Sequence, residues 1–378
     1  MNARTHRIAH GLRPDQQGLS LIELMVAMTI GAVLIFGATQ VFVNSRAAYG
    51  VNENVARMQE TARYAMSVIE PDVRMSNYLG LLKGAGVIGA QAPQTVAAAA
   101  VAAGAAANVC GTNFAVDLST NLQGDNNRYF ISATKLAGCD VLPDLVTAVA
   151  WPSNPVATAD TLTVRRASVF DSAPGPAGQL QVCTSRIAGR LISNGVAASC
   201  PAAVAGQPEE LAVQKLKNLI VDTYYIDRNS LQQAGLPSLH RKTLTTAGGV
   251  PVFRDQEIIA GVEDMQVQFG IDPIGNTGVA TRYVDPNDAT VPATAQIVSV
   301  RIWLLVRSDT YESGFTDDRI YQYADRLPAT PTGDLNSLAA VGSAYQPSAN
   351  PDASLTGPRH VRRLLISRTI QVRNALGT

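Results

Sequence analysis

The sequence predicts an α+β protein with a long N-terminal helix, transmembrane in its first half and amphipathic in its second. The second half is expected to pack on a mostly antiparallel β-sheet head with long loops. The helix is predicted because residues 18–43 are apolar except for Glu23, and because helically spaced apolar residues then continue to Ile69. The sheet is predicted because segments from residue 217 onward alternate apolar and polar side chains, as strands do.

The composition is that of a folded protein. Of 378 residues, 46% are hydrophobic and 16% are charged, which is foldable rather than disordered usage. The formal net charge is +0. A nucleic-acid-binding surface spread over the whole chain is therefore disfavoured, because neutralising phosphates needs a basic excess.

The first element is a predicted membrane span. Residues 24–43 contain no charge and no proline, and about 20 apolar residues in a helix cross a hydrocarbon layer of roughly 30 Å. The polar segment before the span, residues 1–17, carries arginines at 4, 7 and 13 against the single acid Asp15. The positive-inside rule keeps such a segment cytoplasmic and sends the remainder of the chain across the membrane.

Glu23 stands at the entrance of this span. A carboxylate at bilayer depth costs about 2.5 to 3.5 kcal/mol, so the residue is a functional candidate. The alternative is that Glu23 extends to the cytoplasmic interface beside the first helical turn and has no partner.

The helix is predicted to continue beyond the span with a narrow apolar seam. The seam residues follow one another at alternating four- and three-residue steps, and they are Val51, Val55, Met58, Ala62, Ala65 and Ile69. We expect one helix from Leu19 to about Glu70, ended or kinked by Pro71. A coiled coil is the alternative, but the seam is short for one.

All four cysteines lie downstream of the span: Cys110, Cys139, Cys183 and Cys200. An even number beyond a membrane segment predicts export to an oxidising compartment and two disulfides. Of the three possible pairings we favour the sequence-local one, Cys110 with Cys139 and Cys183 with Cys200. Four buried thiols are the alternative, and zinc is disfavoured because no two cysteines have the short spacing of a ligand pair.

The head divides into a loop-rich part and a sheet part. Strands are predicted at 161–165, 180–183, 217–226, 265–271, 297–307 and 365–373. In the fifth of these, alternate residues from Val298 to Val306 are expected to face the core, with Trp303 on the other face under a loop or at a subunit contact. The long loops at 272–293 and 329–358 are candidate binding surfaces.

The N-terminal pattern resembles the class III leader of type IV pilins and pseudopilins. The resemblance consists of a basic leader that ends in Gly18, a hydrophobic Leu19, and Glu23 as the fifth residue after the glycine, followed by an apolar helix. It implies that prepilin peptidase cuts after Gly18 and methylates the new N-terminus at Leu19. It also implies that Glu23 meets the N-terminus of a neighbouring subunit in the filament.

Together with the leader, the helix at 53–80 and the strand GVEDMQVQFGID at 261–272 look like the PilW group of minor pilins. The resemblance implies a non-enzymatic subunit that, with other minor pilins and a tip adhesin-like protein, primes pilus assembly and stays near the tip. It further implies contact with the lipid bilayer, the inner-membrane assembly platform and the major pilin, and a role in twitching motility and adhesion. The subunit would be stored in the bacterial inner membrane with its head in the periplasm, and would then pass into the pilus.

The expected division is 1–18 leader, 19–43 transmembrane half, 44–79 amphipathic half, 80–215 loop-rich disulfide-containing part and 216–378 β-sheet part. Two other functions stay open. One is a pseudopilin of a type II secretion system, which shares the leader and the helix. The other is an uncleaved, membrane-anchored periplasmic binding or adhesive module that uses the long loops.

An anchored enzyme ranks below these, because the chain contains none of the common nucleophile, phosphate-loop, zinc-helix or dinucleotide motifs. The histidines beyond the leader, His240 and His360, are predicted at the surface. The acidic turns at 124–128 and 285–288 are predicted to be solvated rather than calcium-binding. No catalytic residue, cofactor or metal centre is expected.

The one basic concentration lies near the C-terminus and consists of Arg359, Arg362, Arg363, Arg368 and Arg373. It is predicted to be the polar side of an edge strand with acids nearby. DNA is the less favoured partner, because no exposed aromatic residues alternate with these arginines.

Overall fold

The computed structural model describes residues 20–82, 84–89, 114–127, 156, 158–193, 213–274, 277–292, 294–312, 314–326, 345 and 358–375. The chain divides into two compact units, Met1–Glu53 and Asn54–Thr378, which we describe separately. One long helix and two sheets make up the described part, so the predicted α+β class is confirmed.

Helix α1 covers Leu21–Arg74 and is 54 residues long. Pro71 lies inside its last turn, so the predicted end near Glu70 is too early. A proline there removes one intrahelical donor, but its carbonyl still accepts from the Met75 N–H at 3.0 Å, and the turn continues. The chain leaves the helix through Asn77, whose φ of 61° is in the left-handed region that asparagine tolerates better than most residues.

The first sheet has eight strands. These are β1 (Ile88–Gly89), β2 (Leu122–Asp125), β3 (Thr161–Ala167), β4 (Gln181–Thr184), β5 (Gly189–Ile192), β6 (Lys215–Asp227), β7 (Ser238–Ala247) and β8 (Val250–Ala260). The path runs β1-β5-β4-β6-β3-β2, with β7 paired to β6 and β8 paired to β7. All pairings are antiparallel except the parallel pair β1 and β5.

The second sheet has four strands. These are β9 (Val262–Asp272), β10 (Arg282–Val284), β11 (Gln296–Arg307) and β12 (Arg363–Gln371). Their order is β10-β9-β11-β12, and every pairing is antiparallel. Within the described residues β12 is therefore an edge strand, as predicted.

The six strands predicted from the sequence are confirmed as β3, β4, β6, β9, β11 and β12, with ends that differ by at most three residues. The hairpin of β7 and β8 was not predicted. Its turn is Gly248 and Gly249, with φ of 59° and 80°, and two left-handed residues are what a tight hairpin turn requires. The glycine pair was therefore the signal that could have found this hairpin.

The main core lies where α1 meets both sheets. The buried apolar side chains of α1 in the second unit are Met58, Ala62, Ala65, Met66, Ile69 and Val73. They pack in one cluster with residues of both sheets, such as Leu162 of β3 and Ile302 of β11. The predicted seam is thus confirmed from Val55 onward, with Val55 itself half-buried and with Met66 and Val73 added; its first predicted residue, Val51, belongs to the first unit.

Strand β11 has the predicted inward face, since Val298, Val300, Ile302, Leu304 and Val306 are all buried. Trp303 points the other way and packs against a separate cluster formed by Leu305, Tyr321, Tyr323 and Tyr345. The three tyrosines follow β11 in the chain, outside the strands. Of the two predicted environments for Trp303, the structure shows the one under a loop.

Candidate functional site

The apolar stretch of α1 turns its large side chains outward. Between Leu21 and Val43 the leucine, isoleucine, valine, methionine and phenylalanine side chains are more than half exposed. This stretch is long and apolar enough to cross a membrane. Because exposed apolar surface costs about 25 cal/mol per Å² in water, it requires lipid or other apolar protein surface around it.

Glu23 lies in the first turn of this helix and is exposed. A carboxylate is favoured at that position because the free N–H groups of the first turn carry partial positive charge. Gly18 and Leu19 lie outside the described residues. Cleavage, methylation and the assembly contact of Glu23 therefore remain predictions.

The C-terminal end of α1 is held on the first sheet by a buried polar joint. Asp72 is 5% exposed and accepts hydrogen bonds from the Tyr224 hydroxyl at 2.5 Å and from the Arg166 guanidinium at 2.6 Å. Tyr224 lies on β6 and Arg166 on β3, so one carboxylate joins the helix to two strands. Such charge-assisted bonds are stronger than neutral ones.

Asp222 stands two residues before Tyr224 on the same face of β6, beside this joint. Its carboxylate accepts from the Thr243 hydroxyl, and one of its oxygens lies 3.9 Å from an Arg241 nitrogen. Burial, and then the nearby Asp72 carboxylate, raise the pKa of Asp222 to about 6.

Polar contacts also flank the seam at both ends. The Asn54 amide donates to Glu312 at 3.1 Å and accepts from the Thr310 hydroxyl at 3.0 Å. Near the other end, Glu70 pairs with Arg368 of β12. The amphipathic stretch of α1 is therefore fixed in position along its length by the head itself.

One flank of this stretch remains open. A groove of about 950 Å³ runs along it. Its walls include Met58 and Tyr64 from α1, Leu236 and Ile259 from the head, and Asp309 at the rim. The helix thus keeps a solvent-accessible side that the sequence pattern did not single out.

The C-terminal arginines are mostly paired with acids. Arg363 is fully buried, and it binds Glu263 at 2.6 Å and Asp317 at 3.2 Å. Arg359, Arg362 and Arg368 pair with Asp318, Glu312 and Glu70, respectively. The predicted nearby acids are confirmed for these residues, but Arg359 and Arg362 precede β12 instead of lying on it. Arg363, however, lies inside the fold rather than on its polar side, because two carboxylates compensate its buried charge.

His240 is buried, so its predicted surface position is wrong, whereas His360 is exposed. The imidazole of His240 lies 3.1 Å from an Asp255 oxygen and 2.9 Å from the Ser238 hydroxyl oxygen. This resembles a serine–histidine–aspartate triad in composition. Ser238, however, is 0% exposed and donates to the Asn229 carbonyl at 3.0 Å, so its oxygen is not available to a substrate. The cluster is structural: it allows β7 to bury a histidine.

The two acidic turns meet in the structure. The Asn287 amide donates to Asp125 at 2.6 Å, and Pro286 packs closely against Gly124. Asp125 is buried, so the prediction that both turns are solvated is wrong for this residue. Among the described residues, no group of three or more histidine, cysteine, aspartate or glutamate side chains is arranged to hold a metal ion.

Cys183 is buried in β4 and is disulfide-bonded. Cys110, Cys139 and Cys200 lie outside the described residues. The predicted pairing therefore remains a prediction.

Comparison with known proteins gives two family matches. Residues 223–374 match the family described as Type IV Pilus-assembly protein W, and residues 13–39 match the prokaryotic N-terminal methylation motif. The first match covers β7 to β12 with the end of β6, and the second contains Gly18, Leu19 and Glu23. No curated protein matches the chain.

Among solved structures, a type IV-like pilin from Thermus thermophilus is similar at a TM-score of 0.24 and 12% identity, over 59% of this chain and 83% of that chain. A TM-score this low carries no structural conclusion. The prediction that the chain is not an enzyme is confirmed by the PilW match, because that family serves pilus assembly. The predicted resemblance is confirmed too: the chain combines a prepilin methylation motif with a region that matches the PilW family of type IV pilus assembly.

Proposed function

We propose that the chain is a minor pilin that prepilin peptidase cuts after Gly18 and methylates at Leu19. It then joins other minor pilins and a tip adhesin-like protein in the complex that primes type IV pilus assembly. The observation that carries this proposal is the presence in one chain of the methylation motif at 13–39 and the PilW match at 223–374.

The exposed apolar stretch supports storage in the inner membrane before assembly. Its outward side chains suit a bilayer, and they also suit the apolar helices of neighbouring subunits once the protein leaves the membrane. The head lies in the periplasm, and the assembly platform transfers the subunit into a pilus that continues with the major pilin. The pilus then serves twitching motility and adhesion.

Glu23 acts in assembly rather than in processing. Cleavage after Gly18 creates a cationic α-amine, and a carboxylate in apolar surroundings is stabilised by such a partner. The amine of one subunit and Glu23 of its neighbour therefore favour one register between adjacent helices. We expect Glu23→Ala to leave cleavage intact and to lower incorporation into pili, with the exposed Glu60→Ala as the matched control.

Processing is tested by intact mass and N-terminal sequencing of protein extracted from membranes. The expected N-terminus is methylated Leu19, and Gly18→Arg should leave residues 1–18 attached because a long side chain replaces the glycine at the cut. Gly37→Ala is the control, since a Cβ at this helical position meets nothing within 4 Å. A wild-type protein that keeps residues 1–18 would overturn the proposal in favour of an anchored binding module.

Assembly is tested by deleting the gene. A loss of surface pili and twitching supports the minor-pilin role. Unchanged pili with lost protein secretion would instead assign the chain to a type II secretion system as a pseudopilin.

A further inference from the structure

The joint between α1 and the first sheet contains two carboxyl groups in one buried site. Asp72 comes from the last turn of α1 and Asp222 from the middle of β6. Both are 5% exposed or less. Tyr224 relates the two acids. Its hydroxyl donates to Asp72, and it follows Asp222 by two residues on the same face of β6.

The two carboxyl groups have unequal partners. Asp72 accepts from Tyr224 and twice from the Arg166 guanidinium, at 2.6 and 3.1 Å. Asp222 accepts from the Thr243 hydroxyl, whereas the Arg241 nitrogen at 3.9 Å is beyond hydrogen-bond distance. Arg241 also has a buried Nε atom without a hydrogen-bond partner. Of the two acids, Asp222 is therefore the one whose negative charge is less well compensated.

The charged and titratable groups at this joint come from four elements. Helix α1 contributes Asp72, β3 contributes Arg166, β6 contributes Asp222 and Tyr224, and β7 contributes Arg241. When both acids are ionised, like charges face each other between helix and strand. When one proton is bound, Asp222 becomes a donor that Asp72 can accept from.

We propose that this carboxyl pair is a proton-dependent latch, which holds the end of α1 more firmly on β6 when the surroundings become mildly acidic. The proton comes from the solvent, binds the Asp222 carboxylate and forms a hydrogen bond to Asp72. The latch makes the joint between the helix and the head respond to the acidity of the surrounding solvent. This inference goes beyond a role in priming assembly and does not depend on it.

The raised pKa of Asp222, about 6, sets the range of pH in which the latch acts. A carboxyl whose pKa is higher in the folded state binds its proton more tightly there than in the unfolded chain. Its contribution to stability is therefore present below about pH 4 and is lost as the pH rises through 6.

The test uses the full-length protein in detergent, with thermal unfolding at pH 5.0 and pH 7.5. Asp222→Asn removes the titrating group but keeps the shape and the acceptor for Thr243. We expect the variant to unfold several degrees higher than wild type at pH 7.5, and this difference in unfolding temperature to shrink by roughly 2 °C at pH 5.0. Asp309→Asn, at a half-exposed acid paired with Arg57, is the matched control and should show no such pH-dependent gap.

A second measurement needs no variant. Hydrogen exchange of the backbone amides at 66–74, corrected for the intrinsic pH dependence, should be several-fold slower at pH 5.0 than at pH 7.5 in the wild type. Equal protection at both pH values would overturn the latch. A difference in unfolding temperature between wild type and Asp222→Asn that is the same at pH 5.0 and pH 7.5 would also overturn it.

Discussion

Two stretches of one helix, residues 21–53 and residues 54–74, differ in what their apolar side chains contact. In the first stretch apolar residues surround the helix from Leu21 to Val43 and are exposed, whereas in the second they form one buried stripe. The backbone conformation is the same in both. The angular distribution of side chains therefore decides whether a helix segment needs a bilayer and other subunits, or the sheets of its own head.

The largest effect is expected from breaking the buried stripe. Ile69 is 0% exposed in the main core, and Ile69→Ala should lower the free energy of unfolding by about 3 to 5 kcal/mol, because it removes apolar contacts and leaves a cavity. Denaturant unfolding of the detergent-solubilised protein measures this. Tyr64→Ala, on the exposed side of the same stretch, should change the value by about 0.5 kcal/mol or less. Equal losses in both variants would contradict the difference between the two faces.

In the exposed apolar stretch of α1, an added charge should instead weaken membrane insertion. Phe36→Arg places a cation near the middle of the apolar segment and should disfavour insertion by about 2.5 to 3.5 kcal/mol. Alkaline extraction of membranes should then release a larger fraction of the protein, whereas Phe36→Leu should behave as wild type. If the arginine variant is retained like wild type, this stretch is not the membrane-spanning element.

The smallest effect is expected at the surface ion pair between α1 and β12. Glu70 pairs with both Arg74 and Arg368, whose side chains are 45% and 54% exposed. Exposed ion pairs contribute about 0 to 1 kcal/mol, so Glu70→Gln should be nearly neutral and less disruptive at high salt. A double-mutant cycle with Arg368→Gln measures the pair directly. A coupling well above 1 kcal/mol would show that the position of α1 depends on this link as well as on the stripe.

The parts of the fold that could be predicted are those with periodic apolar patterns. The stripe of α1 and strand β11 were predicted because burial of one face leaves a repeat of 3.6 or 2 in the sequence. Strands β7 and β8 were missed because their inward residues include Ser238, His240 and Lys242, all of which are buried polar groups. Their burial depends on partners from distant segments, and sequence pattern alone does not show those partners.

The candidate site shows the same limit. Gly18, Leu19 and Glu23 could be identified because the leader motif is local. The joint at Asp72 could not, because its partners Arg166 and Asp222 are about 90 to 150 residues away in the chain. Long-range polar clusters of this kind require the structure.

The position of β12 has a consequence for how the head folds. This strand pairs with β11 only after the chain between them has been made, and the Arg373 N–H donates to the Arg74 carbonyl at the end of α1 at 3.2 Å. Ile370 and Val372 complete the core against which the helix packs. The core that covers the buried stripe of α1 is therefore complete only after β12 has paired with β11. Until then the uncovered apolar surface can aggregate, because contacts between segments far apart in the chain form slowly.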